Sequence, residues 1–369
     1  MTREASQGLQ RPASRVARSV EVLRPSEWSV GSQLRRLALL LTFTTAATAS
    51  CVAADVTSLA ALDAAGQRYD PEQIAAVGRR GFLYEVTRPS GASSDVDPLG
   101  RKLFLYGTIH LGRVGSEPFN ASVLQALRQS TRLALEADPT DGARVRALTL
   151  VLGRYDDGDG LQRHVSPALM ARVRAFGARN GLPADQIGRL KPWLLANMVL
   201  LAEFDGTGLD PMLGVELYLS GFARGMRMPI VEIEGVEAQL RLLAGQPEAM
   251  QSAQLDEALN ELDRDAAPAQ TSALFDLWLN GDGPAGDELV ARMHRDAQGK
   301  AYEQYFIDEL IDRRNRTMAD RAEHDLERPG NTFFAIGALH LFGEAGLIRE
   351  FERRGYRVVD LQPRLAERR

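Results

Sequence analysis

Two stretches of this chain carry a histidine in nearly the same setting. The first is Phe104-Leu105-Tyr106-Gly107-Thr108-Ile109-His110-Leu111-Gly112, and the second is Phe334-Ala335-Ile336-Gly337-Ala338-Leu339-His340-Leu341-Phe342-Gly343. Each is an apolar run, then Gly-x-x-His, then Leu and a second Gly. The chain has only five histidines, so two in one context are worth weighing together. A neutral imidazole can bind a metal ion through one nitrogen while the other donates a hydrogen bond, or it can act as a general base near neutral pH. Glycine ahead of each histidine permits a sharp backbone departure that turns the ring from the core. The competing reading is a satisfied core histidine closing each strand. Glu136 ends a third apolar run, Leu133-Ala134-Leu135. Buried there, it needs a metal, a histidine or an arginine as partner; otherwise it reaches solvent at the strand end. Asp138, two residues on, falls in the following loop.

The elements around these residues read as α/β. Phe82 to Thr87 alternates and is followed by a turn-rich polar run to Gly100, a strand and hairpin-like loop. Lys102 to Tyr106 is a buried strand, Ala121 to Gln129 a helix and Thr131 to Leu135 a strand, the order of a parallel crossover that would set Glu136 beside His110. The middle, 143 to 279, is mostly helical, with helices over Ala168–Phe176, Pro192–Phe204, Leu213–Arg224 and Val236–Leu243 and one strand over Met228–Ile233. Leu255 to Glu327 is helical with a break over Gly281–Gly286. Asn331–Ile336, Ala345–Arg354 and Tyr356–Leu361 then read as strand, helix and strand, with Gly355 at a left-handed cap. The expected fold is a central, largely parallel sheet flanked by helices, with a large helical middle insertion. In such sheets ligands gather beyond the carboxyl ends of the strands, where both histidines emerge.

Composition narrows the chemistry. The 369 residues are 44% hydrophobic and 25% charged with one cysteine, Cys51, so a disulfide framework and multi-cysteine metal sites are excluded. A net charge of −5 argues against a generally basic nucleic-acid binder, and no nucleic-acid partner is expected. No Gly-x-Ser-x-Gly, His-Glu-x-x-His, Walker or dinucleotide-binding motif is present, so the usual serine-hydrolase, zincin and nucleotide-binding signatures are missing. His164, His294 and His324 lack the Gly-x-x-His setting.

Residues 1–50 read as a signal peptide with an extended basic N-region. They carry seven arginines and three glutamates, a net of +4 that leaves −9 for the rest. Arg35 and Arg36 precede the apolar Leu37 to Phe43 and the small residues Thr44 to Ser50, the three parts of an export signal. Residues 51–80 read as a linker and 81–365 as a single domain. An exported protein, periplasmic or envelope-associated, is expected, with Cys51 as a candidate lipid anchor and no transmembrane span in the mature chain.

The chain resembles the TraB/GumN family, which is related to the TIKI metalloproteases and more distantly to erythromycin-esterase (EreA)-like proteins. The resemblance is carried by Tyr106 to Gly112, Leu135-Glu136, Leu190-Lys191-Pro192-Trp193, Gly214-Val215-Glu216, Ile233-Glu234 with Gln239, Arg314-Asn315 with Met318-Ala319, and Ile336 to Gly343. It implies an α/β domain with a hydrolytic site built from His110, His340 and Glu136. A divalent metal, manganese or cobalt, would be the cofactor, and Arg314 would pair with Glu136 or hold an oxyanion. Two departures stand out: Glu216 where an Asp is commoner, and Gly235 where a Thr is expected. The leading expectation is therefore an exported metal-dependent hydrolase acting on a peptide or another small hydrolysable substrate, with His110, Glu136 and His340 as ligands. The alternatives are a metal-independent His/Glu esterase-like hydrolase and a non-catalytic periplasmic peptide-binding accessory protein.

Overall fold

The computed structural model describes residues 80–88, 101–113, 115, 119–204, 207–264 and 267–362, with backbone alone at 264, 267–270 and 302. The expected signal peptide, Cys51 and most of the expected linker lie outside the described residues. Strand β1 (Phe82–Thr87) pairs antiparallel with β2 (Leu103–Thr108), in the register Phe82↔Gly107. The hairpin partners are thus as expected, and their connection, 89–100, lies outside the described residues. A two-residue strand β3 (Gly112–Arg113) follows, then helix α1 (Ala121–Gln129), whose Asn120 accepts the Val123 N–H at 3.0 Å. Such a side-chain cap satisfies one of the orphan donors of a first turn.

Strand β4 (Ser130–Leu135) leads through helices α2 (Gly142–Gly153), α3 (Pro167–Arg179) and α4 (Pro192–Ala202) to the short strand β5 (Leu209–Asp210), which pairs with β3. Helix α5 (Val215–Gly225), strand β6 (Ile230–Glu232), and helices α6 (Val236–Ala244), α7 (Glu248–Arg264), α8 (Ala267–Asn280) and α9 (Gly283–Ala297) come next. The chain break after α8 is only Gly281 and Asp282 rather than a stretch reaching Gly286. Asp282 caps α9 by accepting the Ala285 N–H at 3.1 Å, and Pro284 sits in the first turn, where it forfeits no hydrogen bond. A π-helical segment, Phe306–Asp312, runs into α10 (Arg313–Glu327). Strand β7 (Asn331–Gly337), helix α11 (Leu347–Arg353) and strand β8 (Arg357–Asp360) close the fold.

The sheet order is β6-β4-β7-β2-β1-β8. The first four strands are mutually parallel, and β1 runs antiparallel to both neighbours. One expectation is corrected here. The run from β2 through α1 to β4 does not make β2 and β4 neighbours, because β7 lies between them, pairing Leu105↔Phe334 on one side and Ala134↔Phe334 on the other. A partner two hundred residues away leaves no trace in local periodicity. Every residue of β2 is buried, as are all of β7 but Asn331, which is why these strands read as continuous apolar runs rather than alternating ones. A satellite core joins α3, α4 and α7 around Leu169, Phe176, Leu195 and Leu259, giving the helical middle its own packing.

Candidate active site

The four parallel strands each deliver a polar side chain just past their carboxyl ends: His110 after β2, His340 after β7, Glu136 after β4 and Glu234 after β6. Helices supply the rest, with Glu216 in the first turn of α5, Gln239 on α6, and Arg314 and Asn315 at the start of α10. The glycine of the first corner acts sterically. Gly107 has no left-handed backbone; a Cβ there would stand 2.6 Å from Leu341 Cδ1 and 3.1 Å from Ala338 Cα. The first corner is thereby packed directly against the second.

Both motif histidines are held through Nδ1. That of His340 lies 2.6 Å from Asn315 Oδ1 while Asn315 Nδ2 donates to the Ala345 carbonyl at 2.8 Å. The amide is thus oriented by a carbonyl that can only accept, so Nδ1 carries the proton and Nε2 the lone pair. His340 is fully buried, and its Nε2 has no hydrogen-bond partner and stands 4.0 Å from Glu136 Oε1. Burial lowers its pKa far below the ordinary range, helped by nearby Arg314 and His110, so the ring is neutral. His110 Nδ1 lies 2.7 Å from Glu216 Oε1, and both side chains are buried. Neither Glu216 oxygen is aligned for a hydrogen bond with any donor; the contact with His110 is close but oblique.

Glu136 is anchored on both oxygens. Oε1 accepts the Gly337 N–H at 2.6 Å, while Oε2 accepts from Arg314 Nη2 at 2.5 Å and from Gln239 Nε2 at 2.9 Å. Arg314 also donates to Glu234, Nε to Oε1 at 2.9 Å and Nη2 to Oε2 at 2.6 Å, and its Nη1 donates to the Leu310 carbonyl at 3.0 Å. Burial pushes the Glu136 carboxyl above its usual range, with Arg314 opposing and Glu234 reinforcing. Burial likewise acts to lower Arg314, but Glu136 and Glu234 outweigh it and hold the guanidinium charged. The pairing of Arg314 with Glu136 makes Arg314 a positioning residue whose donors are nearly all engaged.

The cluster has a charge imbalance. Glu136, Glu216 and Glu234 face one arginine and two histidines, and with the three carboxyls ionised the negative charges exceed the one permanent positive charge by two. Thr108, His110, Glu136, Glu216 and Gln239 line a cavity of about 10 Å³, close to the smallest space that holds one water. Thr108 Oγ1 and Gln239 Oε1 are buried there without hydrogen-bond partners. Imidazole and carboxylate donors, excess negative charge and an ion-sized space suit a divalent cation in their chemistry. Among the described residues, no three His, Cys, Asp or Glu side chains are already arranged to close around one ion.

Sequence reasoning brought His110, Glu136, His340 and Arg314 to one place but gave no role to Thr108, Asn315, Gln239 or Glu234, and noted Glu216 only as a departure. Asp138 lies in the loop, capping the Thr140 N–H at 3.1 Å. His164 sits between Asp159 and Glu248 and stacks on Tyr155, and His294 lies 3.6 Å from Asp312; neither lines the cavity.

Residues 96–360 match the TraB/PrgY/gumN family. The chain belongs to that family. It is 24% identical over 250 residues to the uncharacterized protein YbaP of Escherichia coli (strain K12), covering 68% of this chain and 88% of that one. The YbaP of Shigella flexneri is related to the same extent, 24% over 250 residues. More distant is the metalloprotease TIKI1 of Danio rerio, 27% identical over 304 residues, 69% of this chain and 60% of the relative. No solved structure matches the chain.

Proposed function

We propose that this protein is an exported, metal-dependent hydrolase of peptides in which His110, His340 and Glu136 hold a divalent cation beside the reacting water. The observation that carries this reading is a buried cluster that sets three carboxyl groups against one guanidinium and also presents two imidazoles. Three carboxylates against one guanidinium are costly in a dry site unless a cation or protons neutralise them. The distant relative named as a metalloprotease supports the same choice. A bound divalent ion polarises a carbonyl and makes water a nucleophile at neutral pH. The chain's own residues do the positioning. Asn315 fixes the His340 tautomer with its lone pair on Nε2, Glu216 backs His110, and Arg314 with Gln239 and the Gly337 N–H keeps Glu136 in place. The test is to strip the purified protein with chelator and titrate manganese, cobalt and zinc while following peptide cleavage. Full activity in the metal-free protein would sink this mechanism.

A second reading has its own support: Glu136 already accepts three hydrogen bonds, and among the described residues no three ligands surround one point. Without metal, His110 backed by Glu216 would be the general base on water in ester or lactone hydrolysis. Elemental analysis of parent and His110→Ala decides between the two. Metal in the parent and its loss in the variant favour the first; activity lost with no metal in either favours the second.

Export, to the periplasm or the envelope, is part of the proposal and rests on the +4 leader and its apolar run. Among the described residues no helix is long and apolar enough to cross a membrane. The mass of the mature N-terminus tests this: cleavage near Ser50 supports export, an added diacylglycerol on Cys51 supports a lipid anchor, and an intact leader in the fractionated envelope refutes cleavage.

A further inference from the structure

We infer that the two residues between glycine and histidine in each corner build a pocket that selects a peptide with a small aliphatic side chain beside the scissile bond. The inference rests on the hydrolase reading for the word scissile; the pocket itself stands on geometry. The two corners border two separate spaces. His110 in the first, like Ala335 and Ile336 ahead of the second, belongs to the site. Thr108 and Ile109, and Ala338 and Leu339, border a separate apolar cavity of about 40 Å³. Thr108 borders both spaces, so the two cavities share a wall one residue thick.

The far side of this pocket comes from α8 and α9 through Trp278 and Leu289. Trp278 Nε1 donates to the Gly107 carbonyl at 2.8 Å. Its one polar atom is therefore satisfied at the corner, and the rest of the ring offers only hydrocarbon. Phe342 closes the end, and Gly286 on α9 is what admits it, since a Cβ at Gly286 would stand 2.7 Å from the ring. A charged or amide side chain entering here would lose its hydration and, apart from the single Thr108 hydroxyl, meet only apolar walls. Size excludes more: an engineered cavity of roughly 150 Å³ takes a benzene, so a space of about 40 Å³ suits a methyl or isopropyl group and refuses an aromatic ring. The Thr108 hydroxyl, on a residue 2% exposed and without a hydrogen-bond partner, stands at the shared wall. There a peptide amide passing between the two spaces would satisfy it.

The experiment reads binding rather than turnover. N-acetyl-L-valinamide, N-acetyl-L-phenylalaninamide and N-acetylglycinamide are titrated into the full chain while the methyl signals of Leu289 and Leu339 and the indole proton of Trp278 are followed by NMR. The valine compound should shift these signals and bind at least about tenfold more tightly than the phenylalanine compound, the scale on which hydrophobic pockets discriminate. Ala338→Leu fills the pocket from the corner, and Leu277→Trp, at a residue of α8 that also lines it, fills it from the opposite side, far from the histidines in sequence. Each should remove the valine preference. Equal binding of the valine and phenylalanine compounds by the parent, or an unchanged preference in both folded variants, overturns the inference. A protein that shows the preference but cleaves no peptide refutes the hydrolase reading and leaves the pocket standing. Cleavage indifferent to the side chain does the reverse.

Discussion

Asn315 Oδ1 stands 2.6 Å from His340 Nδ1, and the asparagine is itself fixed by the Ala345 carbonyl. One amide thereby decides which nitrogen of a fully buried imidazole carries the lone pair. Replacing it with alanine frees the ring to adopt the other tautomer. We predict that Asn315→Ala folds but loses roughly 10- to 100-fold in metal affinity or activity, the usual cost of removing a group that orients a ligand. Metal titration by calorimetry, with circular dichroism to verify folding, checks this; unchanged affinity and activity would dismiss the orienting role.

Arg314 pairs with two carboxylates at once. Arg314→Met should destabilise the protein by about 3–5 kcal/mol, because breaking a buried ion pair on one side strands charge. Burial already pushes the Glu136 carboxyl up; with the guanidinium gone only the weaker opposition of the Gly337 N–H and His110 remains, so the folded form binds a proton still more tightly than the unfolded chain does. The variant should therefore recover stability as pH falls from 8 toward 5. Urea unfolding across that range measures it, and a variant with the same pH profile as the parent would contradict the assignment.

Away from the site, His164 is flanked by Asp159 at 2.8 Å and Glu248 at 2.6 Å. Burial acts to lower its pKa, but the hydrogen bonds to Asp159 and Glu248 outweigh it, and the net shift is upward. A raised folded pKa means the stabilisation is complete below the ordinary histidine value of 6.5 and fades as pH rises through the folded value. The stability gap between the parent and His164→Gln should accordingly narrow on going from neutral to alkaline pH. A gap that widens instead would show that the imidazolium is not what these carboxylates hold.

Gly107→Ala tests the packing of one corner on the other. The added methyl meets Leu341 Cδ1 at 2.6 Å and the Ala338 backbone at 3.1 Å, and overpacking of this kind costs about 1–3 kcal/mol. Thermal unfolding should show the loss. If stability were unchanged, the two corners would have to be less tightly apposed than described.

Much of this was legible from the residues, and the misses share a cause. Strand and helix positions follow from apolar spacing, and β1 and α1 fall where that spacing puts them. The repeated corner singled out His110 and His340 because its signal is contained in adjacent residues. Glu216 offered no such signal: a carboxylate in the first turn of a helix is favoured there by the helix dipole, and its partner His110 is distant in sequence. Gln239 and Asn315 are ordinary amides until the fold aims them at Glu136 and His340. The glycine of each corner was expected to relax the backbone. At Gly107 it makes room instead, a matter of tertiary neighbours. Gly235 reverses that lesson: its φ of 93° is one that a threonine would adopt only under strain, so the departure at that position fits the local backbone.

The central place of β7 has a consequence for how the protein matures. Strands β2 and β4 leave the ribosome long before Asn331–Gly337, yet neither can pair with the other, because the strand they share has not been made. Until it inserts, His340 is missing, Glu136 lacks the Gly337 N–H, and the two edges that flank the gap are open. Closing so long a loop is slow. Assembly of the candidate site thus waits on a late strand, and a chain clipped before Asn331 lacks both His340 and the partner strand that β2 and β4 share.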